Sequence, residues 1–277
     1  MLNALYEAYL ITLSSPIKPG ALHRLTKDPE YEIRLLEFVS VQEFIEESYK
    51  RGYMLGRGDL DSKHLGLGRY IADALKKAFE RTSIRPITGL ISASITLASI
   101  LGYYTASSQK KSFEETLRKT VTTILYSSSP EDTINIVEGL EAVSDSDLLL
   151  HLDRKGITKR SITLNAVTVG DLFEALSDID TGFMLNVRNL NRLTTLIASA
   201  RKSPTFIGAV VEVYIKLADM TGYLDLSDIL ETKNPLGELA KLDAKLVDRQ
   251  RFNRLLGGTF IAVATANIDT PLRIPYR

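Results

Sequence analysis

Apolar side chains recur every three to four positions through most of the chain, the spacing of amphipathic helices. Leu2, Leu5, Tyr6, Tyr9 and Leu13 mark one face of an N-terminal helix. Ile71, Leu75, Ala78 and Phe79 mark another, after a glycine-rich loop. An uncharged helix begins at about Pro86, and a further one runs from about Ser112 to Tyr126. Ser129-Pro130-Glu131-Asp132 reads as a helix start: a serine cap, a proline in the first turn and an acid at the third position. Ile134, Val137, Leu140 and Val143 continue that helix's apolar face, and Asp145 or Ser146 caps a short helix through Leu150. Later helices are expected near 169–177, 187–201, 204–220, 235–248 and 255–267. Strand-like alternation is confined to Ser161 to Val169. The pattern predicts an all-α fold: a single multi-helix bundle over residues 1–277, packed around a central apolar helix from Pro86 to Tyr104.

That central segment carries no charge from Pro86 to Gln109, which is long enough to span a bilayer. Thr88, Ser92, Ser94, Thr96 and Ser99 interrupt it, and such hydroxyls bond back to the helix backbone when buried in protein. The expectation is a buried core helix and no membrane.

Lys plus Arg and Asp plus Glu both number 34, so the formal net charge is zero. A dedicated nucleic-acid or membrane-surface protein usually carries a basic excess, so neither partner is expected. There is no cysteine, which excludes disulfides, thiolate nucleophiles and zinc–sulfur sites. The three histidines, His23, His64 and His151, are too scattered to show metal-ligand spacing. No secretory signal pattern appears, so a cytoplasmic location is expected. The neutral surface is compatible with a homodimer.

Candidate chemistry begins at Pro16-Ile17-Lys18-Pro19-Gly20-Ala21-Leu22-His23-Arg24. Two prolines and a glycine stop the first helix and present Lys18, His23 and Arg24 on a stiff turn. Lysine as a point charge and arginine as a two-pronged donor suit polyphosphate, and histidine suits proton transfer near neutral pH. The plainer reading is a surface loop with solvated charges. Glu131 and Asp132 are the best acid pair: they cap a helix, or they share a metal. Gly56 to Asp61 and Gly66 to Arg69 border a loop that either opens an anion site or is simply surface. Arg154-Lys155-Gly156-Ile157-Thr158-Lys159-Arg160 is either an anion site or a solvated loop.

The string Lys18-Pro19-Gly20 with His23 and Arg24 resembles the N-terminal signature of the triphosphoribosyl-dephospho-CoA synthase family, in its archaeal form. Thr88-Gly89-Leu90, Glu131-Asp132 and the stretch Asn253 to Thr259 resemble later family segments in the same order. Arg85 and Pro86 stand where the family has asparagine, and the last stretch lacks its proline and aspartate. The resemblance implies a transferase that moves the triphosphoribosyl part of ATP to a dephospho-CoA-like acceptor with release of adenine. The alternative is a non-catalytic descendant that binds a nucleotide or a protein. On the first reading Lys18, Gly20, Arg24, Thr88, Gly89, Asn253, Gly258 and Thr259 bind the nucleotide. His23, Glu131 and Asp132 serve catalysis, and Glu131 and Asp132 hold Mg²⁺.

Overall fold

The computed structural model describes residues 1–16, 18–24, 30–107, 111–224, 232, 234–246 and 249–272. These residues are helical and contain no strand, so the protein is all-α. In chain order the helices are α1 (Leu2–Ser14), α2 (Glu30–Arg57), α3 (Leu67–Thr82), α4 (Thr88–Ala106), α5 (Phe113–Leu125), α6 (Pro130–Ala142) and α7 (Ser146–Arg154). They continue with α8 (Lys159–Asn165), α9 (Val169–Leu176), α10 (Leu190–Lys202), α11 (Phe206–Met220), α12 (Pro235–Asp243), α13 (Arg249–Asn253) and α14 (Leu256–Asp269).

Two helices form the centre. Every residue of α4 from Thr88 to Gly102 is buried, as is every residue of α14 from Leu256 to Asn267. α4 packs against α2, α3, α5 and α14, and α14 packs in turn against α1, α10 and α11. α4 is thus a core helix, apolar because protein surrounds it. Its hydroxyls are satisfied largely from within: Thr96 donates to the Ser92 carbonyl at 2.8 Å, and Ser94 to that of Ile91 at 2.8 Å. Ser99 reaches across to the Ser48 carbonyl of α2 at 3.3 Å.

α2 is the long helix that the hydrophobic pattern did not announce. Its buried stripe is Arg34, Glu37, Phe38, Val41, Ile45, Ser48 and Gly52, which has helical spacing but polar residues at both ends. α2 runs parallel to α4 with the backbones almost touching. A Cβ on Gly52 would stand 1.9 Å from the Ser99 carbonyl oxygen, and one on Gly102 would stand 2.0 Å from that of Tyr49. At the start of α4, Arg34 donates to Glu37 at 2.5 Å and to the Arg85 carbonyl at 2.9 Å. Glu37 accepts the Ile87 amide at 3.3 Å.

The expected strand at Ser161 to Val169 is not formed. The Thr158 hydroxyl accepts the Ser161 amide at 3.2 Å, and the Ser161 hydroxyl accepts the Thr158 amide at 2.8 Å, a reciprocal cap that opens α8. Residues 247–248 of the helix expected at 235–248 lie outside the described residues, and α12 ends at Asp243.

Candidate active site at the head of the central helix

The first turn of α4 has no local side-chain cap. The first amides of a helix need acceptors and favour negative charge. Here three carboxylates from distant segments supply both. Glu37 takes the Ile87 amide, Asp145 Oδ2 accepts the Thr88 hydroxyl at 2.7 Å, and Asp180 accepts the Gly89 amide. Asp180 reaches α4 because a turn, Asp180–Phe183, packs directly on the glycines. Asp180 Oδ1 accepts the Gly182 amide at 2.8 Å, and a Cβ on Gly182 would fall 2.2 Å from the Gly89 carbonyl carbon. A Cβ on Gly257 of α14 would fall 2.4 Å from Gly182 Cα, so α4, the turn and α14 meet backbone to backbone.

Arginines ring these acids. Arg85 and Arg254 each stand 3.7 Å from Asp145 Oδ1, and Arg254 pairs with Asp147 at 2.7 Å. Arg85 also bonds Gln250. A small polar cleft opens here, lined by Arg34, Arg85, Thr88, Asp145, Asp180 and Arg254 together with Gln250 and Asn253. Its free volume is about 30 Å³, space for a water molecule. Asp145 Oδ1 is buried within it and accepts no hydrogen bond among the described residues. Burial pushes the Asp180 carboxyl up to about 7, and Asp145 adds to the push. Arg254 and the amides of Gly182 and Gly89 pull it back. The cleft therefore sets one carboxyl that exchanges a proton near neutral pH beside one with an unbonded oxygen.

Arg254 is held by its own backbone. Its carbonyl accepts the Thr181 amide at 3.0 Å and the Thr181 hydroxyl at 2.7 Å, and that hydroxyl accepts the Gly258 amide at 3.1 Å. The turn that carries Asp180 and the residue that carries the guanidinium are thus one unit.

Of the residues expected from sequence, Thr88 and Asn253 line this cleft, and the Gly89 amide bonds its Asp180. Gly258 holds the Thr181 hydroxyl, and the buried Thr259 bonds back to the Leu255 carbonyl at 2.8 Å. The Lys18–His23 turn touches the cleft through Asn253 and acts as a clasp. Lys18 is fully buried and donates to the carbonyls of Thr12 and Leu13 at the end of α1, with its ammonium pushed well below the ordinary lysine value by burial. Gly20, at φ +81°, donates to Asp243 Oδ1 at 2.8 Å, and the His23 ring lies 3.0 Å from Asp243 Oδ2. The Leu22 amide donates to Asn253 Oδ1 at 2.9 Å, and the Tyr214 hydroxyl to the Pro19 carbonyl at 2.7 Å. Arg24 is exposed. The phosphate role expected of Lys18 has no surface to act on, because its ammonium is spent on helix carbonyls.

Glu131 and Asp132 do not join them. They open α6, whereas Asp145 follows its other end, about 15 Å along the axis. Ser129 caps the Asp132 amide at 3.2 Å, and Asp132 Oδ1 accepts the Gly68 amide at 3.0 Å. A Cβ on Gly68 would fall 1.8 Å from the Asp132 carbonyl oxygen, so the second glycine loop is a packing contact. Among the described residues no three His, Asp or Glu side chains converge to hold a metal.

Sequence reasoning missed Arg34, Asp180 and Arg254, and saw Asp145 only as a helix cap. The string Asp178-Ile179-Asp180-Thr181-Gly182, acidic and glycine-ended between two helices, was the available signal. Comparison of the chain with protein-family models, with curated proteins and with solved structures finds no match.

Proposed function

We propose that the cleft at the head of α4 is the reaction centre of a nucleotide-dependent transferase. It would move the triphosphoribosyl part of ATP to a hydroxyl of a dephospho-CoA-like acceptor, the reaction implied by the resemblance of Lys18 to Arg24. The observation that carries the reading is the carboxyl pair. Asp145 presents a buried, unbonded oxygen and Asp180 exchanges its proton near neutral pH, both within a ring of arginines.

In this chemistry the acceptor oxygen attacks C1′ of the ribose. The new C1′–O bond forms as the C1′–N9 bond breaks, and the bonding pair leaves with adenine. The hydroxyl proton passes to the Asp180 carboxylate, and adenine takes up one proton as it departs. Asp145 Oδ1 faces the positive charge that develops at C1′. Mg²⁺ enters as part of the substrate, with the triphosphate. The test is incubation with Mg·ATP and dephospho-CoA, with free adenine and the mass of the acceptor as readouts. Adenine release matched by an equal gain of triphosphoribosyl acceptor supports the reading, and no product under any acceptor overturns it.

One observation favours the non-catalytic reading. The cleft has space for about one water, and the Asp180–Phe183 turn covers Gly89 where a nucleotide would approach. On that reading ATP binds without turnover, or a protein partner binds instead.

A further inference from the structure

Asp145 Oδ1 and Arg34 Nε are buried atoms of charged side chains that lack a hydrogen-bond partner among the described residues, and both side chains line the cleft at the head of α4. Each residue is only 4% exposed. The rest of each side chain is engaged. Asp145 Oδ2 accepts the Thr88 hydroxyl, and Arg34 turns its other nitrogens to Glu37, the Arg85 carbonyl and Glu30. The guanidinium groups of Arg85 and Arg254 stop 3.7 Å from Asp145 Oδ1, too far for a direct hydrogen bond.

A buried carboxylate oxygen with no donor is costly, and such groups in folded proteins are ordinarily met by ordered water. The cleft has about 30 Å³ for one, and its walls are polar. A water there donates one proton to Asp145 Oδ1 and accepts from a neighbouring guanidinium group. Its second proton is left for Asp180, the other carboxyl of the cleft. The space is that of one oxygen, so a water and the hydroxyl of an acceptor compete for the same place.

We propose that this position is a nucleophile site that takes water when no acceptor is bound, so that the protein also hydrolyses the N-glycosidic bond of ATP. The water oxygen bonds to C1′ as the C1′–N9 bond breaks, and the bonding pair leaves with adenine. The water's proton passes to the Asp180 carboxylate, and adenine takes up one proton as it departs. The products are free adenine and ribose 5-triphosphate. Asp145 holds the attacking oxygen, and Asp180 receives its proton. The glycosyl chemistry rests on the function proposed above; the oxygen site itself does not.

The test incubates the protein with Mg·ATP and no acceptor, and reads free adenine and reducing sugar. Equal amounts of the two are expected, with the sugar falling as added dephospho-CoA becomes triphosphoribosylated. Asp145→Asn should slow hydrolysis at least about tenfold, the cost of one hydrogen bond to a charged group. Hydrolysis by that variant at the wild-type rate overturns the site. Because the substitution also touches the Thr88 bond, a crystal structure of the wild type without nucleotide gives a reading that needs neither the variant nor turnover. A water within about 3.2 Å of Asp145 Oδ1 is expected, and a cleft closed by side chains overturns the site. Adenine released only when an acceptor is present overturns the hydrolysis and leaves the transferase standing. Hydrolysis with no modified acceptor supports the inference and removes the transfer. No adenine in either case overturns both.

Discussion

Thr88 donates its hydroxyl proton to Asp145 Oδ2 at 2.7 Å, and this bond ties the first residue of the central helix to the acid whose other oxygen faces the cleft. Asp145 occupies the N-cap position of α7 yet makes no side-chain cap there, because its carboxylate is turned to α4. Thr88→Val keeps the shape and removes the donor. It should cost about 1–3 kcal/mol, since it leaves a buried carboxylate oxygen unsatisfied. Urea unfolding of the variant against wild type measures it.

The Arg34–Glu37 pair sets the position of the α4 head, since it bonds the Arg85 carbonyl and the Ile87 amide together. Burial and the paired charge oppose each other in both groups, and for Glu37 burial is the larger effect and holds the carboxyl above its ordinary value. Removing either partner alone strands a buried charge. Arg34→Met and Glu37→Leu should each cost about 3–5 kcal/mol, and the double variant should cost markedly less than the sum. A double-mutant cycle by chemical denaturation reads the coupling.

Asp180 makes stability depend on pH in a definite direction. Its folded value, about 7, lies above the ordinary 3.8. Below about pH 4 both states hold the proton. Between about pH 4 and pH 7 the unfolded chain releases it and the folded chain keeps it, so stability falls as pH rises, and it levels off above pH 7. The fall is on the order of 4 kcal/mol. Asp180→Asn keeps the acceptor for the Gly182 amide and removes the ionisation, so its melting temperature should lack this decline.

Much of the helical order was legible in the sequence, because α1, α3, α5, α6, α9, α11 and α14 carry continuous apolar stripes or clear caps. α2 was not, because its buried stripe opens on Arg34 and Glu37 and closes on Ser48 and Gly52, residues that a hydrophobic pattern scores as surface. The α8 segment reads as a strand in sequence because Ile162 and Leu164 alternate with polar neighbours, although Leu164 is 72% exposed and only Ile162 is buried. The candidate site was legible in part. Thr88, Gly89 and Asn253 stand out in the sequence and lie at the site, but Asp145, Asp180 and Arg254 come from three separated segments. Their meeting depends on the backbone contact of Gly89, Gly182 and Gly257, which no local pattern announces.

Lys18 separates clasp from ligand site. Its ammonium is buried among the Thr12 and Leu13 carbonyls, so Lys18→Met should leave ATP affinity unchanged within about twofold. Burial lowers its proton affinity in the folded state, so the wild type gains stability as pH rises towards the ordinary lysine value, and the variant should lose that gain. Calorimetric titration with ATP and melting curves from pH 7 to pH 10 check both parts.

The most direct measurement is the rate of adenine release from Mg·ATP and dephospho-CoA, followed from pH 5 to pH 9 for the wild type and Asp180→Asn. The account predicts a wild-type rate that climbs through an apparent pKa of about 7, as Asp180 ionises to accept the proton. It predicts a rate at least about a hundredfold lower in the variant, with ATP affinity retained. A variant that releases adenine at the wild-type rate, or a wild type that releases none, would contradict it.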